Sequence, residues 1–341
     1  MQKETEIFNT DVKHISRSVL VIGGSGYIGT HLCKQLEKNG YVPVVVDRNL
    51  KSKPVAFGPS FDIDLPTNIQ ALDAVIKRYN IDSCIHLAGS SSVGESIRNP
   101  GLFYKNNVAT TLALLDKLIA NDVKTFVFSS TASVYADNGL NKCMETAVAQ
   151  PRNAYGSSKL AVENILKDYS RAYDITCVAL RYFNVAGYDT EAEPQQIRYQ
   201  PNKLIDMIID TAHKNQTFKI NGNGHPTKDG TCVRDYVHVM DVAEANLKAL
   251  TLLPIGSKKF EVFNVGSGVP TSNMEIINEV QRHLGKINTE IGEARQEISY
   301  SLADITKAKE ILDWNPEKSS IDKIVASAVK WYNMTHKKEI Q

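Results

Sequence analysis

Ser18-Val19-Leu20-Val21-Ile22-Gly23-Gly24-Ser25-Gly26-Tyr27-Ile28-Gly29 is the stretch from which the rest of the chain is read. Residues 18–22 form a continuous run of strand length, as a strand buried on both faces of a parallel sheet requires. The glycines at 23, 26 and 29 let the backbone turn tightly and approach a pyrophosphate at a helix N-terminus. A helical pattern then runs from His31 to Lys38 and stops at Asn39-Gly40. The next strand, 42–46, leads to Asp47, where a carboxylate can meet a ribose 2′-hydroxyl. A glycine turn alone is a weak signal. In the order strand, turn, helix, strand, acid it specifies a dinucleotide site. Asp47 repels a 2′-phosphate and so favours NAD over NADP, although Arg48 beside it acts in the opposite sense.

The alternation continues outward from this unit. Strands are expected at 83–87, 125–128 and 176–180, and helices at 68–79, 100–120 and 154–172. Small polar residues follow the strands, as in Ala88-Gly89 and Ser129-Ser130-Thr131. The expected fold class is α/β: a doubly wound parallel (Rossmann) sheet with a smaller C-terminal substrate-binding lobe. Residues 1–17 read as a loosely ordered extension and 18–187 as the NAD-binding domain. Residues 237–265 return to that domain through a helix and a strand, and 188–236 with 266–335 make the substrate lobe.

Composition narrows the function classes. The chain has 341 residues, with 39 Lys plus Arg against 38 Asp plus Glu, a net charge of +1. That balance gives no electrostatic case for nucleic acid or an anionic membrane. No apolar run reaches the ~18 residues needed to span a bilayer. The first 18 residues carry Lys3, Glu4, Glu6, Asp11 and Lys13 without an apolar core, unlike a signal peptide. Five scattered cysteines without a C-x-x-C pair argue against a metal site or disulfide framework and fit a reducing cytoplasm.

The chemistry is expected at Tyr155-Gly156-Ser157-Ser158-Lys159. Four residues apart on a helix, Tyr155 and Lys159 share a face. A phenol with its ordinary pKa of about 10 is a poor base at neutral pH. A fixed ammonium nearby favours phenolate and lowers that value, making a usable proton acceptor. The spacing recurs by chance on surface helices, so its weight comes from the dinucleotide signature around it. His86, inside an apolar strand, reads as a satisfied core histidine or one that supports a site residue, and not as a catalytic one. Asp235 and His238 read as helix-entry and domain-joining residues.

Together these pieces resemble the extended short-chain dehydrogenase/reductase superfamily, and within it the UDP-glucose (UDP-galactose) 4-epimerases. The matching motifs are GGSGYIG (23–29), AG and VGES (88–89 and 93–96), NNV (106–108), FSSTASVYA (128–136), YGSSK (155–159), RYFN (181–184) and DGTCVRDYVHVMD (229–241). They span nearly everything from Val19 to Trp314. The resemblance implies that Gly23, Gly26, Tyr27, Ile28 and Gly29 hold the NAD pyrophosphate. Asp47 would take the adenosine ribose, and Asp62 and Ile63 the adenine. Ala88, Gly89, Asn106, Ser129, Tyr182 and Phe183 would line the nicotinamide side. Tyr155 would be the base, Lys159 its electrostatic partner and ribose ligand, and Thr131 the hydroxyl that orients the sugar O4. Asn184, Leu204 and Arg234 would bind the nucleotide-sugar substrate. The implied reaction oxidises C4 to a transient ketone and reduces it on its other face, with NAD retained. Homodimers through helices 100–120 and 154–172 are also implied.

Thr131 is followed by Ala132-Ser133, where related 4,6-dehydratases carry Asp-Glu, and epimerisation needs neither acid. The substrate side departs from the family pattern. Ser90-Ser91-Ser92 replaces a lysine-bearing segment, Lys203-Leu204 stands for Asn-Leu, and Asn221 for an aromatic. Ala294-Arg295-Gln296-Glu297 stands for Arg-x-Gly-Asp, with Arg295 as a substitute arginine. The loop after Asp47 is short. Ser301, at the position that gates bulky sugars, would admit N-acetylated substrates. A 4-ketoreductase or C4 dehydrogenase remains the alternative, identified by net consumption of NAD(P)H. A non-catalytic nucleotide-binding protein is the third reading.

Overall fold

The first four strands in sequence and the two that follow build a parallel sheet whose register follows the apolar runs. In chain order these are β1 (Ser18–Ile22), β2 (Val42–Asp47), β3 (Ser60–Asp62), β4 (Ser83–His86), β5 (Thr125–Thr131) and β6 (Thr176–Tyr182). The computed structural model describes residues 17–48, 50, 55–137, 139, 141–193, 195–197, 202–252, 259–293 and 297–336. The expected N-terminal extension, Arg17 apart, lies outside the described residues, as do Arg295 and most of the loop after Asp47.

A seventh parallel strand joins from much later in the chain, after β7 (Asn184–Ala186), β8 (Phe218–Ile220) and β9 (Val233–His238). It is β10 (Phe260–Val265), and the spatial order is β10-β6-β5-β4-β1-β2-β3. Alternate residues divide the core between two faces. Val19, Val21, Val45 and Val127 pack on one side, and Leu20, Ile22, Val44 and Phe126 on the other. Burial of both faces explains why these strands read as apolar runs and not as alternation. The helix Val239–Leu252, which precedes β10, packs against the glycine-loop helix Tyr27–Lys38.

The second group of elements pairs around β9. β7 runs parallel to it, β11 (Pro270–Ser272) antiparallel, and β13 (Tyr300–Ser301) parallel, while β8 pairs with β12 (Thr289–Ile291). Buried Asp235 on β9 accepts backbone N–H bonds from Ser267, Gly268 and Ala303. That carboxylate therefore ties β9 to the end of β10 and to the chain beyond β13. Among the described residues no helix is long and apolar enough to cross a membrane.

Two expected helices are not continuous. The first is α-helical at Leu65–Asn68 and Leu72–Tyr79, with a 3₁₀ turn at Ile69–Ala71 between. The second is α-helical at Pro100–Phe103 and Thr110–Ala120, but Tyr104–Ala109 is a π-turn. A π-turn widens the backbone ladder and recurs at functional sites. Here hydroxyls satisfy its carbonyls: Thr110 donates to Lys105 O at 3.2 Å and Thr111 to Asn107 O at 2.6 Å.

Candidate active site

The C-terminal ends of β1, β4, β5 and β6 open into a cleft of about 500 Å³. It lies where the strand order reverses between β1 and β4, the crevice in which open α/β sheets bind ligands. All five expected glycine-loop residues, 23 and 26–29, line it. So do Asp47 and Ile63 at one end, and Ala88, Gly89 and Asn106 on a wall. Ser129, Thr131, Tyr155, Lys159, Tyr182 and Phe183 line the other end.

The glycine end is shaped for close approach. Gly23 has φ +85°, and a Cβ there would stand 2.6 Å from the Ala88 nitrogen. Gly26 caps the helix Tyr27–Lys38 without any side-chain hydrogen bond, and the first turn has no acid. The unpaired N–H groups and the positive dipole end thus suit a phosphate. Asp47 accepts hydrogen bonds from Ser25 N at 3.1 Å and Ser25 Oγ at 2.5 Å. That contact fixes the carboxylate at the mouth of the loop. On the opposite wall a Cβ on Gly89 would stand 2.9 Å from Asn107 Oδ1 and 3.4 Å from Lys159 Nζ. These residues fit an extended dinucleotide.

At the other end, Asn153 Oδ1 accepts the Gly156 N–H at 2.9 Å and so starts the helix Ala154–Ala172. A Cβ on Gly156 would lie 2.2 Å from Ser133 O, so glycine is what lets this helix meet the turn after β5. The approach brings Tyr155 to Thr131. Thr131 Oγ1 accepts from Ser133 N at 3.1 Å and hydrogen-bonds the Tyr155 phenol. Burial raises the Tyr155 pKa above its ordinary value, and the Thr131 hydrogen bond counteracts it. Lys159 donates to the Ser129 carbonyl at 2.8 Å, and burial lowers its pKa to about 7 despite the opposing pull of Glu163. Burial is thus the largest influence on the phenol, and Lys159 donates to the end of β5.

Glu163 is occupied structurally. It accepts from Ser130 Oγ at 2.5 Å and from Arg181 at 3.0 and 2.6 Å. Among the described lining residues the only carboxylates are Asp47 and Asp64, at the β2–β3 end.

A hydrogen-bonded chain behind the cleft holds its two walls together. Asn107 Oδ1 accepts from Ser90 N at 2.8 Å, and its Nδ2 donates to Ser90 O at 3.0 Å and Ser158 Oγ at 2.9 Å. Ser158 in turn donates to Tyr155 O at 2.7 Å. His86 Nε2 meets Thr111 Oγ1 at 3.0 Å. Because Thr111 donates to Asn107 O, the His86 nitrogen must carry the proton. Burial and the nearby Lys159 hold His86 neutral, with its pKa lowered to about 3. His86 thus lines the cleft with one ring nitrogen bonded and Nδ1 without a partner, instead of being a fully satisfied core residue. Asn107 lies within the NNV motif but is given no role in the site by the sequence. The visible signal was a second asparagine beside Asn106 in an otherwise apolar helix.

Four expected residues lie outside the cleft lining. Asp62 ends β3 beside Ile63, exposed Asn184 starts β7, and Leu204 starts the helix Leu204–His213. Arg234 on β9 is engaged by Glu297, Nη2 to Oε2 at 2.8 Å. Lys203, read as a departure from the family pattern, does line the cleft.

A family model described as "NAD dependent epimerase/dehydratase family" matches residues 19–266. The chain is 37% identical to a UDP-glucose 4-epimerase of Lacticaseibacillus casei over 321 residues, covering 92% of this chain and 96% of that one. It superposes on a solved structure of UDP-glucose 4-epimerase from Bifidobacterium longum in complex with NAD+ and UDP. There the TM-score is 0.84 and the identity 31%, over 94% of this chain and 99% of that one. The UDP-Glc/GlcNAc 4-epimerase of Campylobacter jejuni superposes with TM-score 0.77 and 33% identity, over 93% and 99% of the two chains.

Proposed function

The chain belongs to the NAD dependent epimerase/dehydratase family, and from that premise we infer that it is an NAD-dependent nucleotide-sugar 4-epimerase acting on UDP-sugars. The observation that carries this reading is the grouping of Thr131, Tyr155 and Lys159 in one cleft with the glycine loop, with no acid at Ala132 or Ser133. Epimerisation at C4 needs a proton removed and returned at one hydroxyl; dehydration needs a further acid and base. Bound NAD supplies the reversible oxidation of C4.

The protein's part is proton transfer, orientation and electrostatics. Tyr155 Oη takes the C4 hydroxyl proton and later returns it. Thr131, its hydroxyl already fixed by Ser133 N, orients the sugar O4. Lys159, buried and anchored on Ser129, supplies positive charge to that end of the cleft. Glycine-loop N–H groups and Asp47 hold the dinucleotide, Asn184 and Arg234 bind the nucleotide diphosphate of the substrate, and Leu204 contacts the substrate. The segments 188–236 and 266–335 act as the substrate lobe.

Purified protein without added cofactor tests this. Proton NMR at C4 should show UDP-glucose and UDP-galactose interconverting, with NAD released on denaturation. Net consumption of added NAD(P)H would instead make it a ketoreductase or dehydrogenase. Acceptance of N-acetylated UDP-hexosamines is the finer reading. Ser301 pairs in register with Arg234 across β13 and β9, and its small side chain leaves room beside the expected diphosphate ligand. Ser301→Tyr should abolish N-acetylhexosamine turnover and spare UDP-glucose; equal loss of both sinks that reading.

We further propose a homodimer through helices 100–120 and 154–172. Exposed Ile97, Tyr104 and Leu112 lie on or beside those helices and support an apolar contact. Light scattering reading a single-chain mass at micromolar concentration would refute it. The five free, buried cysteines suit a reducing compartment, and the cytoplasm is the proposed location. Recovery of the protein in a membrane fraction would contradict that placement.

A further inference from the structure

One cation in the cleft has no part in the proton chemistry. Lys203 precedes the helix Leu204–His213, and its side chain reaches over Tyr27. Its Nζ lies 4.1 Å from the Tyr27 ring centroid and donates to the Val185 carbonyl at 2.8 Å. Tyr27 is fixed beneath it, because its hydroxyl donates to Gly187 O at 2.5 Å. Lys203, Gly26, Tyr27 and Val185 all line the same cleft. An ammonium has three N–H donors, and Val185 takes one.

The surroundings leave this charge undercompensated. Burial lowers the Lys203 pKa to about 8, with Asp206 pulling the other way. Burial also disfavours the charged form of Asp206, raising its pKa to about 7. The neighbouring helix Tyr27–Lys38 adds an uncapped N-terminus with no acid in its first turn. A desolvated ammonium beside a bare helix N-terminus favours an anion. Capping the Val185 carbonyl alone would not require a charge, since any N–H donor serves that purpose.

We infer that Lys203 is an anion ligand, its ammonium acting with the N-terminus of helix Tyr27–Lys38 to bind a diphosphate, either the dinucleotide's or the nucleotide sugar's. The inference rests on the 4-epimerase reading only for the identity of those two diphosphates. Both carry the same chemistry, and the test separates them.

Wild-type protein, Lys203→Arg, Lys203→Met and the double variant K203M/D206N would be purified. The double variant removes the buried carboxylate that K203M leaves alone. The measurements are NAD retained per folded chain, the rate of NAD loss, and UDP affinity by calorimetry. NAD loss about tenfold faster in K203M, restored by K203R, assigns the lysine to the cofactor diphosphate. UDP binding about tenfold weaker with NAD retained assigns it to the substrate diphosphate. Folded K203M, or folded K203M/D206N, with both properties unchanged overturns the inference. A wild type that holds neither NAD nor UDP refutes the functional reading instead. The lysine is then decided by inorganic pyrophosphate, whose binding K203M must weaken for the inference to stand.

Discussion

The ammonium of Lys159 sits 2.8 Å from the backbone carbonyl oxygen of Ser129 and donates a hydrogen bond to it. Its charge also lies 4.6 Å from the Phe128 ring centroid. Lys159 is therefore referenced to β5, the strand that also carries Thr131. Thr131 contacts Tyr155, so hydroxyl, phenol and ammonium take their positions from one rigid element. Burial disfavours the charged form of both Tyr155 and Lys159, which is the pattern expected of groups kept for chemistry at some cost to stability.

Tyr155→Phe removes the proton acceptor and keeps the ring that packs edge-on to Phe103 at 6.3 Å. Turnover of UDP-galactose should fall about 10²- to 10⁴-fold, the usual weight of a general base. NAD content, read by absorbance after denaturation, should stay at the wild-type level. A loss below tenfold would move the proton acceptor elsewhere.

Lys159→Met should abolish turnover and yet alter stability in a pH-dependent way. The folded pKa of about 7 lies below the ordinary 10.5 of lysine. Below pH 7 the wild type carries the full penalty of a buried ammonium. Between pH 7 and 10.5 the unfolded chain binds the extra proton, so wild-type stability rises with pH. The stability of K159M relative to wild type should thus be greatest near pH 6 and shrink toward pH 9. Denaturant titrations of NAD-free protein at both values measure it; a constant difference would mean Lys159 is not desolvated in the fold.

Much of this site could be read from residue order. The β1 run, the glycine loop and Asp47 are local in sequence and dictate local geometry, so the residues expected at that end, Asp62 excepted, line the cleft together. The π-turn at Tyr104–Ala109 could not be read, because its cause is tertiary: Thr111 and Asn107 are engaged by His86, Ser90 and Ser158 from three other elements. The reach of Lys203 into the cleft was hidden for the same reason, since Tyr27 and Val185 meet it only in the fold. Spacing gave Tyr155 and Lys159 a shared face but not the burial that decides their pKa values.

Gly89→Ala tests the wall opposite the glycine loop. The new Cβ would stand 2.9 Å from Asn107 Oδ1, the atom that accepts the Ser90 N–H. Asn107 also holds Ser158 on the catalytic helix, so any shift is passed to Tyr155. Overpacking of this kind costs about 1–3 kcal/mol. The variant should show a lower melting temperature, reduced NAD content and slower turnover together. Full activity with unchanged NAD would mean that the walls can separate freely.

Arg234 offers the sharpest test of the substrate side. Its Nη2 lies 2.8 Å from Glu297 Oε2, with side chains 15% and 36% exposed. A pair this open to solvent is worth about 1 kcal/mol or less, so a diphosphate can displace the carboxylate. While Glu297 remains, however, it both competes for the guanidinium and repels the incoming phosphates. Glu297→Gln keeps a hydrogen-bond acceptor and removes the charge. The KM for UDP-glucose should therefore fall about threefold to tenfold with kcat unchanged, a change in uniform binding of about 1 kcal/mol. Arg234→Ala should raise KM by at least about tenfold, the loss of a charge-assisted phosphate contact. In the double variant the Gln substitution should help less than it does in the wild type, because only the relief of phosphate repulsion remains once Arg234 is gone. A rise in KM for E297Q would reverse the interpretation: Glu297 would then be the residue that holds Arg234 in its binding posture.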